Sequence, residues 1–276
     1  MSFIFLLGYL ILLISAGGTL IASDISPIPY TNPYVGAKNS YAVFNPAFLT
    51  RQEQSDTITD SEKANIISIE SGIGIGYLGI SELNPKYISA VLNTVDYGFG
   101  VRLGGLTHRT FNDYSLSAVG CYKLTNELSF GSSYTYSYFQ PIGYEILDRH
   151  NIGMSLKVST ENSFIYIIID DIMDSKRMDR DAESSLGRQL VGGYVYARDD
   201  FSVGLDFQVS EARGGIIPSV SLALIDSFQL FARGHSITRS FSTGFNLEYN
   251  FIYLSSELIY SDRIGIDFVL CIGLYI

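Results

Sequence analysis

The side chains best suited to proton transfer near neutral pH are His108, His150 and His235. Each falls in or beside a segment read as an external loop, and none stands near a Ser or Cys nucleophile in a recognisable spacing. There is no G-x-S-x-G, no Walker sequence and no H-E-x-x-H. The glycines at 72–76 and 98–105 lie inside alternating stretches and lack the Lys-Ser/Thr and following helix of a phosphate cradle. An acidic stretch, Asp170, Asp171, Asp174, Asp179, Asp181 and Glu183, has carboxylates for a divalent cation. It lacks the central Gly and terminal Glu of a calcium loop, and Lys176, Arg177 and Arg180 already interleave with the acids. Cys121 and Cys271 show no zinc spacing and fall in strands far apart in order, so two unpaired thiols are expected. The expectation is a protein with no catalytic residues, no metal and no cofactor.

The remaining charges carry more information through their setting. Glu70, Arg102, Lys157, Asp206, Glu248 and Asp267 each stand alone on the small or polar face of an alternating segment. Val95, Tyr97, Phe99, Val101 and Leu103 alternate with Asp96, Gly98, Gly100, Arg102 and Gly104; Phe201, Val203, Leu205, Phe207 and Val209 alternate with Ser202, Gly204, Asp206 and Gln208. The final residues repeat the pattern, with Ile264, Ile266, Phe268, Leu270, Ile272, Leu274 and Ile276 on one face. A period of two is that of a β-strand, whose side chains point to opposite sides in turn. About fourteen such segments follow residue 65. In a soluble β-protein the apolar face would turn inward and the other face would be rich in Lys and Glu. Here the second face is Gly, Ser, Asn and isolated charges, which suits a lumen. The chain therefore reads as all-β: a transmembrane, antiparallel, up-and-down β-barrel of about fourteen strands, with a short irregular N-terminal segment. Its six isolated charges are expected to line the lumen, either pairing to rigidify it or facing a passing substrate.

Composition agrees. The 276 residues include 26 Gly, 20 Tyr and 17 Phe with only 17% charged residues, and the mean hydropathy is +0.21. That middle value fits apolar residues spread over alternate positions. A net charge of -10 argues against a nucleic-acid partner, which needs clustered Lys and Arg. The one continuous apolar run, Phe3 to Ala22, followed by small residues, reads as a secretory signal over 1–23, although its start carries no Lys or Arg. Residues 24–64, broken by Pro27, Pro29 and Pro33, form a periplasmic or lumenal segment, and 65–276 the barrel. Joints such as Tyr249–Asn250, Ile225–Asp226 and Leu124–Asn126 are tight. Met173–Leu186, Gln140–Arg149, Glu211–Gly214, Thr107–Asn112 and Tyr77–Pro85 read as longer loops. Short turns on one side and longer loops on the other place the barrel in a bacterial outer membrane, in contact with its lipid, with both termini in the periplasm.

Ahead of the first strand stands Tyr41-Ala-Val-Phe-Asn-Pro-Ala-Phe-Leu49, containing Asn45, Pro46, Ala47 and Phe48. This resembles the NPA segment of FadL-type barrels and the related PorV/PorQ-like outer-membrane proteins. The strand phrasing of Phe201 to Phe207, Phe228 to Gly234 and Phe241 to Leu247 is similar to that family's closing hairpins. The resemblance implies a fourteen-stranded barrel whose N-terminal segment, with Asn45 to Phe48, folds into the lumen as a plug or hatch. For FadL-type members it implies passage of small hydrophobic molecules, with a lateral exit at an interrupted wall strand, here placed near Pro85. For PorV-like members it implies a non-transporting partner of secretion-complex proteins. The Gly/Ala-rich stretch that precedes the family's NPA is reduced here to Val35-Gly36-Ala37.

Overall fold

A computed structural model describes residues 45–49, 66–75, 83–170, 172, 189–198, 200–210, 213–262 and 265–276. The signal-peptide reading of 1–23, most of 24–64 and the acidic stretch beyond Asp170 lie outside the described residues. The fold is a closed, antiparallel barrel of fourteen strands in simple sequence order, with the first paired to the last. The strands are β1 (Ile66–Ile75), β2 (Lys86–Asn93), β3 (Tyr97–His108), β4 (Phe111–Lys123), β5 (Leu128–Pro141), β6 (Leu147–Ser159) and β7 (Ser163–Asp170). They continue as β8 (Gln189–Ala197), β9 (Phe201–Ser210), β10 (Arg213–Ile225), β11 (Phe228–His235), β12 (Ser240–Tyr249), β13 (Ile252–Ser261) and β14 (Gly265–Tyr275). One turn of 3-10 helix, Pro46–Phe48, precedes them.

Alternation decides which way every side chain faces. Along β9, Val203, Leu205 and Phe207 are exposed on the outside, whereas Ser202, Gly204, Asp206 and Gln208 are buried inside. Along β14, Ile266, Leu270 and Ile272 face out, and Asp267, Val269, Cys271 and Gly273 face in. A continuous apolar exterior with polar and small residues enclosed is the inverse of a soluble protein. Only a lipid surround lets those exposed Leu, Ile, Val and Phe side chains stay out of water. Closure follows from the same environment. An unpaired sheet edge in hydrocarbon leaves backbone N–H and C=O groups unsatisfied at several kcal/mol each, about the scale of a whole domain's stability. The β1–β14 ladder removes both edges: Ser68 to Ile75 pair with Tyr275 to Phe268, and Ile67 and Ile276 exchange both backbone hydrogen bonds, at 3.3 and 2.8 Å.

Three expectations change. The stretches Thr107–Asn112 and Glu211–Gly214 are not wholly loop, because the paired strands run into them past the apolar alternation: His108 pairs with Phe111 and Ser210 with Arg213. Backbone pairing continues through Thr107 and Asn112, whose polar side chains sit on the outer face where apolar character ends. The longer connections, 76–85, 142–146 and 171–188, nonetheless share one end of the barrel (the loop end). The joints at 94–96, 124–127, 160–162, 198–200, 226–227 and 250–251 share the other (the turn end). His150 lies within β6 and not in a loop, facing outward against Tyr134 and Tyr136. No wall interruption occurs at Pro85 among the described residues. Its carbonyl accepts the Gly74 N–H at 2.8 Å, and the β1–β2 and β2–β3 registers run unbroken. A register shift appears instead in β10, between Ala223 and Ile225.

The outward placement is testable at Leu205, midway along β9. Leu205→Arg puts a charge against the bilayer interior and is expected to destabilise the barrel by about 2–4 kcal/mol. Leu205→Met, a volume-conserving apolar swap at the same position, should stay within about 1.5 kcal/mol. Denaturant unfolding in lipid vesicles reads both.

Candidate functional site in the lumen

Asn45 to Leu49 are all buried, and they lie inside the barrel near the turn end. Pro46 at the start of the 3-10 turn supplies its fixed φ, and the turn closes with Phe48 N–H to the Asn45 carbonyl and Leu49 N–H to the Pro46 carbonyl. The segment is seated by small inward residues. A Cβ at Gly131 of β5 would strike the Ala47 nitrogen and the Pro46 carbonyl carbon, and one at Gly98 of β3 would strike Leu49. The Ala47 N–H donates to Ser155 Oγ of β6 at 2.8 Å. Leu49 packs with Val91, Val119 and Cys121. Phe48 meets Phe164 and Tyr166 of β7 edge-on, with ring centroids 5.5 and 5.4 Å away. The inner apolar face of β7, with Phe164, Tyr166 and Ile168, thus meets Phe48 and continues into Val191 and Val195, their cross-strand neighbours on β8. The Lys157 ammonium lies 4.9 Å from the Phe48 ring centroid and 5.8 Å from that of Phe164, a cation–π arrangement at a side chain only 3% exposed. Asn45 is 0% exposed, and its amide nitrogen and oxygen have no hydrogen-bond partner among the described residues.

Elsewhere the interior is spanned by tyrosines lying over glycines. Tyr166 of β7, Gly193 of β8 and Asp206 of β9 occupy one register row, and the Tyr166 hydroxyl donates to Asp206 Oδ1. A Cβ at Gly193 would strike both partners. The same device recurs at the closure. Tyr253 of β13, Gly273 of β14 and Glu70 of β1 share a row, and the Tyr253 hydroxyl donates to Glu70 Oε2 at 2.7 Å. Tyr87 of β2 donates to the other oxygen, Oε1, and its own hydroxyl lies 3.1 Å from Cys271 Sγ. Arg102 of β3 stacks over the Tyr87 ring with its guanidinium carbon 4.3 Å from the centroid. A tyrosine reaches a carboxylate two strands away only where the strand between offers no side chain, and glycine meets that requirement.

The rest of the inner face carries further buried polar contacts. Arg233 of β11 pairs with Glu257 of β13 through Nη2 at 2.7 Å and Nε at 2.8 Å, and Nε also donates to Ser242 of β12. His235 is buried, with Nε2 2.6 Å from Gln208 Oε1 and Nδ1 2.7 Å from Thr238 Oγ1. It is a structural bridge, not the solvated loop residue its sequence neighbourhood implies. Ile217, Ile259, Val269, Cys271 and Tyr87 form an apolar cluster contributed by β10, β13, β14 and β2.

Of the six isolated charges, Glu70, Arg102, Lys157, Asp206 and Asp267 are buried on the inner face, and Glu248 is half-buried opposite Tyr253. The structure brings Glu70 and Arg102 together through Tyr87, and Lys157 to the Asn45–Leu49 segment. It sets Asp206 apart with Tyr166. Tyr87, Tyr166, Tyr253, Arg233 and Glu257 escape sequence reasoning. Tyrosine also populates the lipid face, and Ser255-Ser256 blurs the alternation around Glu257, so only the strand register distinguishes these residues.

No protein-family model matches the chain, and no curated protein is significantly similar to it. Among solved structures, the outer membrane protein Omp33 of Acinetobacter baumannii is similar at a TM-score of 0.51 and 8% identity, over 77% of this chain and 97% of that one. A triple mutant of the Rhodopseudomonas blastica porin aligns at a TM-score of 0.43 and 10% identity, over 77% and 99% of the two chains. The Omp33 likeness extends to the fold.

Gly193→Ala is expected to push Tyr166 off Asp206 and destabilise the barrel by about 1–3 kcal/mol, the usual cost of overpacking. Gly192→Ala, whose added methyl faces outward into open space but for a backbone oxygen 4.0 Å away, serves as the control and should be near neutral. Glu257→Ala strands a buried guanidinium and is expected to cost about 3–5 kcal/mol. Denaturant midpoints at unchanged m-value would establish all three.

Proposed function

We propose that this protein is a bacterial outer-membrane barrel that passes small hydrophobic molecules in the FadL manner, with Asn45 to Phe48 as a hatch in the path. The observation that carries this reading is the position of Phe48 inside the barrel. It lies against the inner apolar face of β7 and beneath the Lys157 ammonium. An ordinary water-filled channel has a polar interior. Here apolar surface continues from Phe48 through Phe164, Ile168, Val191 and Val195, and a hydrophobic molecule would exchange favourably with the Phe48 ring there. Four of the six lumen-facing charges then divide between two tasks. Lys157 borders the path, and Glu70, Arg102 and Asp206 hold the wall.

One observation favours a second reading, a PorV-like partner of a secretion or envelope-assembly complex through which nothing flows. The inner face from β9 through β14 to β2 is tied by buried pairs and by the cluster around Ile217. Uptake of a radiolabelled fatty acid by cells lacking and regaining the protein separates the two. Transport is expected to rise on restoration and to rise further with Phe48→Ala, which shortens the hatch side chain. Equal uptake in all three strains, with stoichiometric co-purification of envelope proteins, would establish the second reading instead.

A further inference from the structure

We infer that Glu70 is the latch of the barrel seam: its carboxylate holds the first and last hairpins together and makes closure of the β1–β14 ladder durable. Thirteen of the fourteen strand pairings join neighbours in the chain, and β1–β14 alone joins its ends. A hairpin re-forms locally after opening, whereas the seam must recover the entropy of closing the longest loop the chain offers. The seam is therefore where side-chain ties matter most, and three buried polar contacts cross it or anchor to it. Tyr253 reaches from β13 over Gly273 of β14 to Glu70 Oε2 on β1. Tyr87 of β2 holds Oε1 from the other side. The Tyr87 hydroxyl also meets Cys271 Sγ of β14. One carboxylate thus ties β13 to β1 and β2 across β14. Glu70 is 0% exposed, so removing its acceptor oxygens takes a buried hydrogen-bond partner from each of two tyrosine hydroxyls.

Two further features fit a latch and not a ligand site. Arg102 stacks on the ring of Tyr87, the tyrosine that holds Glu70 Oε1, and so brings a positive charge into the same cluster. Glycines at the crossing points leave no slack: a Cβ at Gly273 would strike Tyr253, and one at Gly72 would strike Tyr87 and Cys271. The Tyr166–Gly193–Asp206 row has the same chemistry but lies entirely among sequence neighbours, so it provides the internal control.

The test uses the full-length protein reconstituted in detergent, with heat-induced loss of the compact form followed by gel mobility in SDS. Glu70→Gln and the milder Tyr253→Phe are expected to lower the temperature at which the compact form is lost, as is the control Asp206→Asn. A disulfide introduced across the seam with Ile69→Cys and Leu274→Cys, an outward-facing pair in register, is then oxidised in each. It should restore Glu70→Gln and Tyr253→Phe to the temperature of the parent carrying the same disulfide and leave Asp206→Asn depressed. Restoration of all three variants, or of none, overturns the assignment, as does a Tyr253→Phe protein that melts with the parent. If Glu70→Gln does not assemble, Tyr253→Phe decides the matter alone.

Discussion

The absence of water from the bilayer interior is the constraint from which this structure follows. A strand in lipid has nowhere to send its backbone hydrogen bonds except to another strand, so the sheet must close on itself. Closure sets the rest. It fixes the strand order and gives each strand one face toward lipid and one toward an enclosed space. It also makes the β1–β14 seam the one pairing that joins the first strand to the last, where the other thirteen join sequence neighbours. The continuous apolar exterior and the polar, glycine-rich interior are two consequences of one geometric requirement.

The enclosed space poses a second problem, because a barrel of this size has more interior than its inward side chains fill by pointing straight in. Two solutions appear side by side. Near the turn end, Asn45 to Leu49 folds in and uses Gly98, Gly131 and Ser155 as its seat. Around the remainder, long side chains lie along the wall over glycines and end on buried acids, as Tyr166 does on Asp206 and Tyr253 on Glu70. Each carboxylate enters a low-dielectric region with donors already in place, which is the condition for burying it without a net loss. Packing and charge compensation are therefore achieved by the same residues.

Much of the architecture was legible in the residue pattern. The alternation in β9 and β14 identifies strand and face together, and the isolated charges Glu70, Arg102, Lys157, Asp206 and Asp267 fall at buried positions of the inner face. Where backbone pairing outruns the apolar pattern the reading falls short, as at 109–110, because a ladder does not require apolar side chains to continue. His235 misleads for a related reason. A polar residue at a strand end looks solvated until the neighbouring strands bring Gln208 and Thr238 against its ring.

The sequence by itself determined the period of two, and with it the strand identity, the lipid-facing set and a closed barrel of about fourteen strands. These depend on what each residue is and on its two neighbours. Partnership is a different matter. That Tyr253 meets Glu70, Arg233 meets Glu257 and Phe48 meets Phe164 depends on the register between strands far apart in the chain and on where a non-strand segment comes to rest. A shift of one residue in any ladder would turn these side chains to the opposite face while leaving every local pattern intact. Only the closed tertiary structure, in which all fourteen registers must agree at once, decided them.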